Sequence, residues 1–487
     1  MNQAHSTPDI GPASAPAAVE ASFHRRAADL PGPVGIPLLG NALQIDSRRF
    51  HADLERWERQ FGPLYQFRLG TQTIVVTSQK DDIMRLLRDR PETVQREQRV
   101  SRILEESGAP GVFTAEGDLW RQDRKLVMQA MTPEVIHAYF PEFQRQMQRL
   151  LTRWQARLAA GRKVDLMRDL KAFTLDITIG IAMGQDINAL ENEGDRMQED
   201  IQFVFDRIAR RMTAPLPYWR WIKLPADREA RKRFQRIRDS VTGFVAQSRA
   251  RLEAEPARCA RPSNLLEAML AARDAPGSSY TDLNVIGNAI TMVFAGEDTT
   301  STSIAWALHY LSTHPEAAER MTAETDTVLG TQRLATDVAM LARLPYLDAV
   351  VSESMRLKPV AAFLNLQSYK PMVLSGTLID AGTPIMVLLR RASENAHPVA
   401  DGDAFVPERW LANATRGLDA VNRTIMPFGG GPRFCPGRYL AMTEIREILS
   451  MMVRNFQIAQ DAGARPVAEC FQFVMAPDSL PVSLVLR

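Results

Sequence analysis

Apolar side chains recur along this chain in two different rhythms. Residues 116–131, 133–159, 166–183, 195–212, 226–255 and 263–274 repeat them at helical spacing, and each stretch predicts a helix. The longest such stretch runs from Thr281 to Ser312, and shorter ones follow at 315–328 and 345–357. Near the start, residues 48–60 predict a helix that stops at Gly62-Pro63. Leu64–Leu69 and Thr73–Thr77 then flank Gly70-Thr71, a hairpin pattern. Ser78 stands where it would cap a helix reaching Asp89, with Asp81 at the capping-box position. Beyond Lys358 the rhythm changes. Residues 370–389 carry the β-branched and turn residues of a small sheet, a helix is expected after Gly437, and 471–486 reads as extended segments. The expected fold class is therefore mainly α with small β-sheets (α+β). With no internal repeat and no long linker, strands from the two ends should meet within a single domain.

Composition narrows the classes. A chain of 487 residues with 45% hydrophobic and 24% charged side chains has ordinary globular usage, which excludes a disordered or collagen-like protein. The net charge of +2 gives no overall field toward nucleic acid or anionic lipid. No run reaches the ~18 consecutive apolar residues of a membrane span. The Ala/Pro/Ser-rich start lacks a signal-peptide pattern, so the expected location is cytoplasmic. Residues 1–29 are expected to form a disordered tail ahead of a folded domain at 30–487, which opens on Leu30-Pro31-Gly32-Pro33. Three widely spaced cysteines, Cys259, Cys435 and Cys470, do not make a disulfide framework.

Cys435 stands apart from the other two. It lies in Phe428-Gly429-Gly430-Gly431-Pro432-Arg433-Phe434-Cys435-Pro436-Gly437-Arg438, a Gly/Pro-rich loop ahead of an expected helix. Glycines let amides approach the sulfur, the helix N-terminus favours thiolate, and Arg433 adds a full positive charge. A zinc site is a poor rival, because no CxxC or HxxxH accompanies it. A cysteine nucleophile would need a histidine partner, and no local signature supplies one.

The spacing Phe428-x-x-Gly431-x-Arg433-x-Cys435-x-Gly437 resembles the haem-binding loop of the cytochromes P-450, the haem-thiolate monooxygenases, of the soluble bacterial type. The resemblance implies the fold of that family, with haem b (iron protoporphyrin IX) held between the long central helix and the helix after the Cys loop. It makes Cys435 the axial metal ligand, pairs Arg433 with a propionate and packs Phe428 beside the sulfur. Further motifs agree. Ala295-Gly296-Glu297-Asp298-Thr299-Thr300 is similar to the family's oxygen-binding groove, so Asp298 and Thr299 are implied as the catalytic acid–alcohol pair. Glu353-x-x-Arg356 and Arg409 match its structural ion network. Trp120-x-x-x-Arg124 matches the pair that donates to a propionate. One departure is Leu366, where the family often has a propionate-binding arginine.

By position, the substrate pocket is expected at Ile290, Phe294 and Ala295, at Ala361, Ala362 and Phe363, and at Phe473 and Val474. The segments 101–115 and 203–215 are expected to close its access channel. These side chains suit a lipophilic small-molecule substrate, oxidised with O2. With 52 residues after Cys435 and a short leading tail, an external ferredoxin or flavodoxin with its reductase is the expected electron donor. Arg121, Lys125 and Arg438 are its candidate docking residues, on a protein expected to be a monomer. Two rivals are a family member that uses or rearranges a peroxide and a non-enzymatic haem-binding protein. Asp298-Thr299 speaks against the first, since that chemistry needs no proton relay.

Overall fold

The computed structural model describes residues 23–106, 108, 110–192, 196–396, 402–411 and 425–487. Its helices of eight residues or more are α1 Phe50–Phe61, α2 Lys80–Arg88, α3 Gln98–Glu106, α4 Gly117–Ala130, α5 Pro133–Ala159, α6 Leu166–Met183 and α7 Met197–Thr213. They continue with α8 Pro225–Ala254, α9 Leu265–Asp274, α10 Asp282–Thr313, α11 Pro315–Leu329, α12 Pro345–Leu357, α13 Leu389–Ala396 and α14 Arg438–Asn455. The strands are β1 Arg25–Arg26, β2 Leu64–Leu69, β3 Gln72–Thr77, β4 Val94–Arg96, β5 Phe363–Ser368, β6 Met372–Leu374, β7 Thr377–Ile379 and β8 Pro384–Leu388. After α14 come β9 Phe456–Gln460, β10 Glu469–Gln472, β11 Val474–Pro477 and β12 Val482–Leu486.

The two ends of the chain do meet. A five-stranded sheet has the order β2-β3-β8-β5-β4, with β3 and β8 parallel. The β2–β3 hairpin turns on Gly70-Thr71, where Gly70 takes φ +63°. Helical cores arise where the spacing placed them. Thr281 caps α10 by accepting from Asn284 N, and Asn284 returns the bond, a capping box. Most of α10 is buried on all sides, so it forms the axis against which α6, α8, α12 and α14 pack.

Some expectations change. Ser78 does not cap α2: the cap position is Gln79, and the Ser78 hydroxyl donates to Glu58 Oε1 at 2.8 Å instead. A buried carboxylate across the core outcompetes the local bond. Ordered chain also reaches back before Leu30, because Arg25 and Arg26 pair with Thr377 and Leu378. Residues 1–22 of the expected tail lie outside the described residues. The segment 101–115 begins within helix α3, and the sheet expected from 370 starts at Phe363.

Glu353 holds the back of the molecule together. It accepts from Arg356 Nε and Nη2, both at 2.8 Å, from Arg409 Nε at 3.1 Å and from Trp410 Nε1 at 2.8 Å. Arg356 also donates to Gly402 O and Ala404 O, tying α12 to the segment after residue 401. Burial alone would raise the Glu353 pKa. The hydrogen bonds and charge of Arg356 outweigh burial and hold it below the usual carboxylate range.

Candidate haem-thiolate site

The Cys435 loop is shaped by its glycines. Gly431 sits at φ +64°, and a Cβ there would lie 1.9 Å from Leu87 O, so no other residue fits against α2. Cys435 N donates to Phe428 O at 2.8 Å, which closes the loop across the cysteine. Burial pushes the Cys435 thiol up, while Gly437 N–H and the charges of Arg124 and Arg438 pull it the other way. The upward push wins in the protein alone, so the helix N-terminus does not make the thiolate by itself.

Beside this loop lies a cluster of buried cations. Arg433 is stacked 4.4 Å over the Trp120 ring and bonds to Ala115 O and the Glu116 carboxylate. Its Nε and Nη1 are buried without a partner. Arg90 Nε and Nη2 and Arg96 Nε are orphaned in the same way. Burial first, then the charge of Arg433, pushes the Arg90 guanidinium down to about 10. Burial and the charges of Arg90 and Arg433 push Arg96 well down as well. Glu116 is the carboxylate that opposes all three shifts. Three guanidiniums around one carboxylate leave room for two negative charges, which suits the two propionates of haem. Arg96 stands directly across the ladder from Leu366, so a neighbouring strand carries the guanidinium absent at 366. The donor set therefore fits haem. The sequence expectation missed Arg90 and Arg96, because neither belongs to a motif.

Arg124 packs on the cysteine loop. Its Nη2 donates to Phe434 O at 2.7 Å, and its guanidinium lies 4.7 Å over the Phe434 ring, on the cysteine side of the loop. Phe428 is half-buried, with Arg438 at 5.7 Å from its ring.

The middle of α10 packs on α14, the helix that follows the loop. Gly296 permits close approach of α6: a Cβ there would meet Thr178 Oγ1 at 2.0 Å. Thr174 Oγ1 then donates to Glu297 O at 2.9 Å. Thr299 Oγ1 donates one turn back to Ala295 O at 2.8 Å, and both residues sit on the accessible side of the helix. Asp298 faces the other way. Its Oδ1 is 2.9 Å from Lys171 Nζ and accepts from Gln202 Nε2 at 3.3 Å. Gln202 Nε2 also reaches Glu297 Oε1 at 3.2 Å, while Glu297 Oε2 is orphaned. Burial and then the Asp298 charge drive the Glu297 pKa well up, against the opposing pull of Lys171 and Gln202. Glu444 of α14 is likewise driven up by burial and shares a hydrogen bond with Thr300.

The expected substrate pocket divides in two. Phe294 and Phe473 are joined through Phe205, whose ring lies 5.0 Å from each. Phe113 stands 6.5 Å from Phe473. Phe473 takes φ +76°, a strained conformation for a bulky residue, at the β10–β11 turn. Ala295 is exposed beside them, and Ile290 is fully buried on α10. Ala362 and Phe363 belong elsewhere. They pack in the core under the five-stranded sheet, Phe363 on Phe50 at 5.4 Å and on Phe471 at 5.1 Å. Ala361 is half-buried and Val474 buried across the turn from Gln472.

Comparison with known proteins agrees with this geometry. The family model for cytochrome P-450 matches residues 30–484. A self-sufficient cytochrome P-450 monooxygenase of Aspergillus kawachii is 28% identical over 468 residues, covering 94% of this chain and 43% of that protein. A self-sufficient monooxygenase of Aspergillus terreus is 28% identical over 477 residues, again covering 94% and 43%. Cytochrome P-450 3A6 of Oryctolagus cuniculus is 26% identical over 444 residues, covering 88% of this chain and 85% of its own. The chain thus spans less than half the length of the fungal relatives. A cysteine in a glycine-shaped loop, three guanidiniums gathered on Glu116 beside that loop and a family match across nearly the whole chain lead to one conclusion: this chain belongs to the cytochrome P-450 family, whose members bind haem b through a cysteine thiolate.

Proposed function

We propose that the chain is a haem-thiolate monooxygenase that inserts one oxygen atom from O2 into a C–H or C=C bond of a lipophilic small molecule, of natural-product, terpenoid, steroid or fatty-acid type. The observation that carries it is the pairing of the Cys435 loop and its cationic cluster with an acid–alcohol pair on α10. When bound, haem supplies the dioxygen-activating iron, with a thiolate ligand that favours O–O cleavage. Cys435 would hold the iron, and Arg433, Arg90 and Arg96, with Trp120 stacked on Arg433, would hold the propionates. Arg124 would steady the cysteine loop through Phe434 O.

The second oxygen atom leaves as water and takes up two protons. Thr299 presents its hydroxyl toward the accessible side of α10. Asp298, Lys171, Gln202 and Glu297 form a hydrogen-bonded store behind it, with Lys171 on the outer side. The rings of Phe294, Phe473, Phe205 and Phe113 exclude water and hold an apolar substrate. Arg121, Lys125 and Arg438 are exposed around the Cys435 loop, where a ferredoxin or flavodoxin served by its reductase would deliver electrons in the cytoplasm. The domain that performs this spans residues 30–487.

Reduced protein exposed to carbon monoxide should show the red-shifted Soret band of thiolate ligation, and Cys435→Ala should lose it. A band at the position of histidine ligation in the unaltered chain would end this reading. Thr299→Ala should keep the band and consume NADPH without matching product. Unchanged coupling would remove Thr299 from proton delivery.

A further inference from the structure

Four polar groups meet in the interior where α4, α10 and the segment 110–116 come together. Asp123 of α4 and Asn288 of α10 are 1% and 0% exposed, and Tyr280, just ahead of α10, is also buried. Tyr280 Oη donates to Asp123 Oδ1 at 2.7 Å. Asn288 Nδ2 donates to the same Oδ1 at 2.7 Å and reaches Tyr280 Oη at 2.9 Å. The fourth group is a backbone amide: Val112 N donates to Asn288 Oδ1 at 2.7 Å. These partners fix which way the Asn288 amide faces, its NH2 toward the carboxylate and its oxygen toward Val112.

The backbone that Asn288 holds is seated on α10 with no room to spare. A Cβ on Gly287 would lie 1.8 Å from Pro110 O, and one on Gly111 would lie 2.5 Å from Thr291 Oγ1. Thr114 N and Ala115 N donate to Gly111 O at 2.9 and 2.8 Å, so the segment turns tightly on itself. At its far end Ala115 O accepts from Arg433 Nη2 at 2.8 Å, and Glu116 Oε1 accepts from Arg96 N at 2.9 Å. Residues 110–116 are therefore a strap, pinned to α10 at one end and to the cationic cluster at the other. Phe113 stands between the pins. It is 37% exposed, with its ring 3.6 Å from the Arg96 guanidinium and 6.5 Å from Phe473.

We infer that Asn288, set by Asp123 and Tyr280, is a specificity-determining positioning residue: it holds the strap down so that Phe113 limits the bulk of the lipophilic molecule admitted beside Phe473. The inference rests on the monooxygenase reading above and names what restricts its substrate. Asn288 is fully buried behind Val112, so it acts through the strap and does not touch the substrate. A compact molecule fits with Phe113 in place. A bulky one must lift Phe113, and lifting it breaks the Asn288–Val112 bond and the close contact of Pro110 with Gly287. The cost falls on bulky molecules alone, which is how a residue outside the pocket comes to discriminate among them. Asp123 and Tyr280 keep the Asn288 side chain from turning away with the strap. Asp123 also belongs to the helix whose Trp120 and Arg124 pack against the cysteine loop, so strap and loop share one frame.

The test uses the haem-loaded full chain and two imidazoles, 1-phenylimidazole as the compact probe and 1-tritylimidazole as the bulky one, each titrated by the shift of the Soret band. Asn288→Ala should tighten binding of the bulky probe about tenfold and leave the compact probe within about twofold. Hydrogen–deuterium exchange at the Val112 and Phe113 amides should quicken about tenfold, a readout that needs no turnover. Asp123→Ala should act like Asn288→Ala, whereas Asp123→Asn, which keeps an acceptor for both donors, should behave as the unaltered chain. Tyr280→Phe keeps the ring and should move both readouts the same way by less; it decides the matter if Asn288→Ala takes up no haem. Phe113→Ala should give the bulky-probe gain without faster exchange at Val112, and adding Asn288→Ala should bring no further gain.

The inference is overturned if exchange at Val112 is unchanged in Asn288→Ala and Tyr280→Phe, or if both probes shift alike, as a general loosening of the fold would make them. It is also overturned if the gains from Phe113→Ala and Asn288→Ala add. A missing thiolate band in the unaltered chain is a separate failure: it ends the monooxygenase reading, while exchange at Val112 still decides whether Asn288 holds the strap.

Discussion

Lys171 reaches Asp298 from a different helix, and with Gln202 it is what keeps two neighbouring carboxyls tolerable inside α10. Lys171→Met should therefore slow proton delivery. The expected result is a kcat lower by about a hundredfold with KM little changed, together with a larger solvent isotope effect. Arg96 offers a second check. Arg96→Leu should speed haem loss to an excess of apomyoglobin by about ten- to a hundredfold, since one charge-assisted bond is worth roughly 1.5–3 kcal/mol. The haem-free protein should not be destabilised, because Arg96 is buried with an unmet donor. Glu447 is a third case. Both of its oxygens are buried without partners, and burial pushes its pKa from 4.5 to about 8. A raised carboxyl favours the fold fully below its unfolded pKa, and the benefit is lost as pH rises through the folded value. Glu447→Gln should thus raise the Tm at pH 8 relative to the unaltered chain and change it least near pH 4.5, as read by thermal scans.

Among the elements, α12 shows how a local pattern becomes a fold constraint. An i,i+3 acid–base pair on a helix is ordinarily a weak surface contact. Here Glu353 is fully buried and gathers Arg356, Arg409 and Trp410 around it. Glu353→Gln should cost about 3–5 kcal/mol in denaturant unfolding, because it leaves buried guanidiniums without a charge. The unaltered chain should lose this support as pH falls through the depressed Glu353 pKa. Helical periodicity located α4 to α12 within a few residues, since apolar side chains recur at helical spacing along them, and the Cys435 loop was legible because its glycines serve geometry that other residues cannot. Arg90, Arg96 and Lys171 were not legible. Their roles come from strands and helices far away in the chain, and an isolated Arg or Lys carries no local signal. Ala362 and Phe363 misled for the same reason: an apolar pair reads alike whether it faces a pocket or the core under a sheet.

At the level of the whole molecule, the site is assembled from distant parts. Arg433 meets Ala115 across 318 residues, and β3 pairs with β8 only after nearly the whole helical body has been made. Such non-local pairing is slow, because the loop it closes must be ordered first. The central α10 and its neighbours can gather early from contacts nearer in sequence. In refolding experiments, helical circular dichroism should therefore return before the chain can capture haem, and the slower phase should match closure of the five-stranded sheet. Disrupting the β3–β8 ladder with Val76→Pro should delay haem capture more than it delays helix formation; equal delays would contradict this order. The residues proposed to hold the cofactor are thus split between the two ends of the chain, so a chain still being synthesised, with β8 and the cysteine loop yet to emerge, lacks both Cys435 and Arg433.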